Sequence, residues 1–394
     1  MEEITLSVFN HGPAATENMR GLLKEFEQKE GIHVRLEMIP WGTAWARLVE
    51  IALYHTGPDV SQVGSTWVGD LVRMGALRPF GEGEVRRLKG TEVVFDSVWV
   101  RGFSDDADPG AYYSIPWTGD ARVVYYRRDL LYRAGVDERT AFSSPQQFER
   151  TLARLREKGG LIPFVLPTRR SRMAVHNLAS WVWGAGGDFL SPDGKRVLFH
   201  QPQALEGFKA YFRLGRYLDR EHHFIEETDA DRLFYSGQAA VLISGNWVLH
   251  LPDQTAEVRK NLATVPVPGV PFVGGHHLVI WRHSRNEQAA RKLVAFLSGE
   301  RANQVLYPLY GLPISESGWN RPPFDLEPYQ AFKQAFVRGR TFPGQHLWGL
   351  VEKRLVDVLA QAWEEVLAAP ESQWDSIVEQ CITSLGDRLQ LSLQ

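Results

Sequence analysis

Asp120 has the most suggestive setting of any acid in the chain, in the run Trp117-Thr118-Gly119-Asp120 between two β-prone stretches, 112–116 and 121–127. A carboxylate accepts hydrogen bonds and a nearby indole supplies apolar area, so the pair suits a ligand site. The same four residues also suit a tight turn, and both readings stand at this point. Tryptophan carries the second hint. The chain has 13, and Trp41, Trp67, Trp117, Trp247 and Trp319 lie beside Gly, Pro, Ser or Asn, where loops are expected. Core tryptophans fall inside periodic runs instead, so these point to aromatic platforms for a ligand.

Catalytic chemistry finds less support. The sequence has no G-x-S-x-G elbow, no P-loop, no G-x-G-x-x-G and no H-E-x-x-H. His222-His223 and His276-His277 are adjacent pairs, and neighbours on a strand face opposite ways. Glu226-Glu227 could suggest a glycosidase, but the pair sits in EETDAD, which reads as a solvated turn. The single cysteine, Cys381, excludes internal disulfides and a cysteine-based zinc site. No catalytic residue, metal or cofactor is expected.

A chain of 394 residues holds two or three domains, or two large lobes. Its net charge of −3 gives no basic field for nucleic acid. No run of 18 apolar residues marks a membrane span. The opening MEEITLSVF has neither a basic nor an apolar leader region. That fits a cytosolic protein, or an exported one whose leader was removed.

The elements that must position these residues follow from periodicity. Ile4, Leu6 and Val8 alternate, as do Val34, Leu36 and Met38, and 59–63 is a third strand. Met19, Leu22, Leu23 and Phe26, then Trp45, Leu48, Val49 and Ala52, are spaced for helices. The β-α-β-α-β-α order implies a mainly parallel sheet with covering helices. Ligands of such sheets bind at the carboxyl ends of the strands. The residues just past strands one, two and three are Asn10 and His11, Trp41, and Ser65, Thr66 and Trp67. Further on, 143–223 is mostly helical, with an apolar, Trp-rich run at 177–183. A buried strand at 239–243 leads into the corner Gly245-Asn246-Trp247. The proline-rich 264–271 reads as a connector, and Gly274-Gly275-His276 precedes a strand at 277–281.

The order of these pieces resembles the family 1 extracellular solute-binding proteins, the maltose-binding-protein-like sugar-binding subunits of ABC importers. Gly57-Pro58-Asp59-Val60, Ile115-Pro116-Trp117 with Asp120 to Leu130, and Phe234-x-x-Gly237-x-Ala239-Ala240 through Gly245-x-Trp247 are each similar to family segments. So are Gly274-Gly275 through Leu297, and Gly311-Leu312-Pro313. The match spans nearly the whole chain.

The resemblance implies a two-lobe α/β fold of the type II periplasmic-binding-protein kind. Each lobe would be a mainly parallel sheet flanked by helices, with a ligand cleft between lobes. The N-terminal lobe would hold residues 1–117 and 272–312, and the C-terminal lobe 118–271 and 313–394, with crossings near 117–121, 266–272 and 311–315. Asp120 would accept from sugar hydroxyls. Trp247 would be a stacking platform with Asn246 beside it, and Trp348 a further one. Ser65, Thr66 and Trp67 would come from the first lobe, His176 and Asn177 from the second. Asn10, His11, Trp41, Gly275 and His276 complete the expected contacts. Asp stands at 120 where maltose-binding protein has a glutamate.

The expected function is capture of a disaccharide or oligosaccharide outside the cell and delivery to an ABC permease by hinge closure. The expected state is a monomer, periplasmic or extracellular, anchored to the membrane by a leader outside this sequence. The alternatives are a non-sugar polyol or phosphorylated polyol as ligand, or a glycan-active enzyme. The residue types suit a sugar, because aromatic rings cover its apolar face while Asp and Asn meet its polar edge.

Overall fold

The computed structural model describes residues 2–89, 94–100, 111–251, 253–342, 344 and 348–393. The chain divides into two units. Unit 1 is Met1–Asp120, Gly274–Asp325 and Thr341–Gly349; unit 2 is Ala121–Val273, Leu326–Arg340 and Leu350–Gln394. Residues 313–325 and 341–349 thus cluster with unit 1, whereas the sequence reading gives them to the C-terminal lobe. Close approaches at two glycines tie the later stretch to unit 1. A Cβ on Gly69 would lie 2.8 Å from the Gly344 carbonyl oxygen, and one on Gly349 would collide with the Asp70 carboxylate.

The strands are β1 (Glu2–Phe9), β2 (Ile32–Ile39), β3 (Val60–Gly64), β4 (Ile115–Ala121), β5 (Val123–Arg127), β6 (Val241–Ser244), β7 (Leu262–Pro266) and β8 (Val273–Ile280). The sheet of unit 1 runs β2-β1-β3-β8-β4. β1 is parallel to β2 and to β3, as the β-α-β alternation requires, and the returning β8 is antiparallel to β3. Helix Pro13–Glu30 buries Met19, Leu22, Leu23 and Phe26, the stripe read from the sequence. Pro13 starts it, and Gly31 ends it in the left-handed region at φ 71°. Asp59 fastens the sheet. It accepts from the Thr5 amide at 2.9 Å and from the Ser284 hydroxyl at 2.5 Å.

The smaller sheet, β6-β5-β7, departs from the parallel expectation, since β5 is antiparallel to both neighbours. The link from β6 to β7 passes through helix Ala256–Asn261, so those two strands share a direction. β5 enters directly after β4 and runs the other way between them. Among the described residues of unit 2, parallel pairing appears at the isolated bridges Ile162–Ala239, Val165–Leu242 and Phe272–Arg340.

One local expectation changes. Trp117 to Asp120 is no turn: it lies inside β4, and Trp117 is fully buried with its Nε1 donating to the Leu297 carbonyl at 3.1 Å. Gly119, which suggested the turn, is where backbones meet: a Cβ on Gly311 would lie 2.6 Å from the Gly119 carbonyl oxygen. A Cβ on Gly275, at φ 139°, would lie 2.1 Å from the Thr118 carbonyl oxygen. The run 177–183 belongs to helix Arg172–Gly184, which is buried from Ala174 to Trp183. A helix covered on every side loses the periodic stripe that would mark it in sequence.

Candidate functional site

In unit 1 the sheet itself gathers the predicted residues. β1 and β2 are in register through Phe9 and Ile39, so their carboxyl ends share one edge. β3 ends beside them in the single turn Ser65–Trp67, and β2 in the turn Trp41–Thr43. The antiparallel β8 brings its amino end to the same edge, pairing His276 with Gly64.

The result is a cluster of rings over the buried Phe9. Trp41 lies 4.6 Å from Phe9 between ring centroids, 5.3 Å from His11 and 5.4 Å from His276. His11 and His276 are 5.3 Å apart. Trp67 reaches Phe9 at 5.7 Å and Trp45 at 5.6 Å. Trp41 keeps 46% of its surface exposed, which suits a ring that meets a ligand.

Burial and the proximity of His276 hold His11 at a pKa of about 3, and burial with His277 does the same to His276. Both therefore present neutral imidazoles. Thr118 hydroxyl sits 3.0 Å from His276 Nδ1. Ser65 is buried and Thr66 half-buried. Asn10 is exposed, but its side-chain oxygen already accepts from the Gly12 amide at 2.9 Å, a local turn. Gly275 serves the close packing of β8 on Thr118. Asp120 is half-buried near the end of β4.

Trp348, which clusters with unit 1, is the first residue of helix Trp348–Ala368. It is only 2% exposed, and its ring is stacked on Phe342 at 4.1 Å with planes 22° apart, so the structure places it in packing.

Unit 2 gathers a second cluster around Trp247, at the start of the turn Asn246–His250. The indole Nε1 donates to Asp231 Oδ2 at 2.7 Å, and Ser244 hydroxyl donates to Asp231 Oδ1 at 2.8 Å. Asp231 is buried on helix Glu227–Tyr235. Burial pushes its pKa up, against the hydrogen bonds from Trp247 and Ser244 and the attraction of Arg122. The Arg122 guanidinium is fully buried, 4.9 Å from the Trp247 ring centroid and 5.9 Å from that of Phe272. Cation–π contacts of this kind strengthen when desolvated. Trp247 and Asn246 are half-buried.

His176 and Asn177 are not at the surface. His176 stacks on Phe272 at 4.1 Å, and its Nε2 is 3.3 Å from the buried Glu352 carboxylate. Asn177 is buried beside the Tyr211 hydroxyl. Both residues support the interior of unit 2.

Sequence reasoning missed Tyr310, whose ring is 4.4 Å from His11, and also Gln62 and Asp231. Tyr310 arrives on a helix some 300 residues after His11. No local pattern announces such a partner. Among the described residues, no cluster of three or more His, Cys, Asp or Glu could hold a metal.

Residues 12–304 match the model of the bacterial extracellular solute-binding protein family. The chain belongs to that family. It is 23% identical over 306 residues to a binding protein of Brucella abortus, covering 75% of this chain and 72% of that one. It is also 23% identical over 308 residues to the diacetylchitobiose binding protein DasA of Streptomyces coelicolor, covering 74% and 68%. Among solved structures, the sugar-binding protein MalE of Xanthomonas citri has the same fold, with a TM-score of 0.78 at 21% identity over 99% of this chain and 98% of that one. Among the described residues, no helix is long and apolar enough to cross a membrane.

Proposed function

We propose that the protein captures a carbohydrate outside the cell, a disaccharide or oligosaccharide, and delivers it to the permease of an ABC importer. The observation that carries this reading is the ring cluster of unit 1, in which Trp41 stays open beside two neutral imidazoles. Such a surface meets a pyranose on its apolar face and at its uncharged edge. Trp247 adds a half-buried indole in unit 2, with Asn246 beside it. Relatives named for diacetylchitobiose and for sugar binding lend support.

The contacts in this reading are Trp41, Trp67, His11, His276, Ser65 and Thr66 from unit 1, and Trp247 and Asn246 from unit 2. Asp120 accepts from a vicinal diol and is not a catalyst. Capture works by hinge closure, which needs ligand contacts from both units to shift the open–closed balance. The protein acts as a monomer, tethered at the membrane through a leader. A phosphorylated polyol is disfavoured because Arg122, the cation of the unit 2 site, is fully buried.

A thermal-shift panel of glycans and polyols tests the reading. A binder gains Tm with its ligand. The expected outcome is a rise with at least one glycan and no cleavage products on prolonged incubation. A rise with polyols alone, or hydrolysis of the glycan, would overturn it.

A further inference from the structure

Gln62, on β3, is fully buried, and its partners decide its chemistry. Its side-chain oxygen accepts the Phe9 backbone N–H at 2.8 Å. A backbone N–H can only donate, so this bond fixes which end of the amide is which. The Gln62 Nε2 is then the atom 3.1 Å from His11 Nε2. An amide nitrogen only donates, so His11 Nε2 must accept and carries no proton. In a neutral imidazole the proton then sits on Nδ1.

We infer that Gln62 is a positioning residue that locks His11 as the Nδ1–H tautomer, giving unit 1 a fixed hydrogen-bond donor for an acceptor oxygen of the ligand. A ring oxygen, a glycosidic oxygen or a hydroxyl lone pair would serve. The donor's role toward a sugar rests on the proposed function; the lock itself does not.

The surroundings favour the lock. Around His11 stand Gln62 from β3, Trp41 from the turn after β2, His276 from β8, and Tyr310 from helix Glu300–Tyr310. A second proton on His11 would set two donors face to face at Gln62 and place a cation against His276. Burial and His276 accordingly hold the His11 pKa at about 3. Among the described residues, His11 Nδ1 has no hydrogen-bond partner, so its donor is available.

Nitrogen-15 NMR of the imidazoles in the ligand-free protein tests the lock, with the His11 signals assigned by their loss in His11→Asn. The wild type is expected to show Nδ1 protonated and Nε2 bare, unchanged from about pH 8 to pH 5. An Nε2–H tautomer, or titration near the ordinary value of about 6.5, would overturn the inference. Gln62→Glu offers only acceptors, so His11 should either move its proton to Nε2 or become an imidazolium. An unchanged Nδ1–H tautomer in that variant would remove Gln62 from the role.

Titration with maltose and N,N′-diacetylchitobiose tests the donor. Affinity of Gln62→Glu should follow the fraction of His11 that carries Nδ1–H, falling about tenfold where that proton is lost. Equal affinity despite a tautomer switch would overturn the donor role. If the wild type binds neither sugar, the carbohydrate reading fails for these ligands, and the nitrogen spectra alone uphold or overturn the lock.

Discussion

Trp247 owes its orientation to groups that lie elsewhere in the sequence. Asp231 holds the indole nitrogen at 2.7 Å and Ser244 steadies the carboxylate. Gly245 leaves room for the ring, because a Cβ there would lie 2.0 Å from it. Removing the acceptor frees the ring and leaves Arg122 buried without that charge. Asp231→Ala should therefore cost roughly 1–3 kcal/mol of stability, the scale of an unsatisfied buried polar group. Urea unfolding measures that loss, and weaker glycan binding by the folded variant should accompany it. Unchanged stability and affinity would show that Trp247 needs no such support. Asp120 makes the opposite kind of prediction. Asp120→Asn keeps the shape but turns one acceptor into a donor, so binding should fall by roughly 1.5–3 kcal/mol with the fold intact. If calorimetry finds wild-type affinity in Asp120→Asn, the acid is structural.

At the scale of elements, β8 is the strand whose insertion completes the ring cluster, and Gly275 is what lets it lie against β4. The residue sits at φ 139°, and a Cβ would meet the Thr118 carbonyl oxygen at 2.1 Å. Gly275→Ala combines backbone strain with a backbone collision, so it should cost about 2–3 kcal/mol. A denaturation midpoint equal to wild type would contradict that packing. The same strand shows what a sequence can and cannot disclose. The parallel half of unit 1 was legible because alternation and helix spacing are local, and so were His11, Trp41 and Trp67 at its strand ends. The antiparallel return of β8 was not, because strand direction depends on where a distant connection enters the sheet. Tyr310 and Asp231 escaped for the same reason. His176, Asn177 and Trp348 carry the residue types of a site, but tertiary burial uses them in packing.

For the molecule as a whole, buried neutral histidines link folding to pH. His277 is buried against the Ser114 hydroxyl at 2.8 Å, and His11, His276 and His277 are all held at about 3 against an ordinary value of 6.5. Between those values the unfolded chain binds more protons than the native one, so stability rises with pH across that window. The contribution is fully present above 6.5 and is lost as pH drops towards 3. Asp231 acts in the other direction, since its raised pKa favours the folded state in acid and that contribution is lost as pH rises through its folded value. Three histidines outweigh one carboxyl, so Tm should fall from neutral pH towards pH 4, less steeply in His277→Gln. Calorimetric scans giving both proteins the same slope would sink the linkage.

The central claim is that aromatic faces from both units hold a carbohydrate. Isothermal titration of the wild type, Trp41→Ala and Trp247→Ala with the glycan that raises Tm most tests it directly. The account predicts binding by the wild type and a loss of roughly 1–3 kcal/mol in each variant, the scale of a buried aromatic contact. No binding by the wild type, or full affinity in either folded variant, would contradict it.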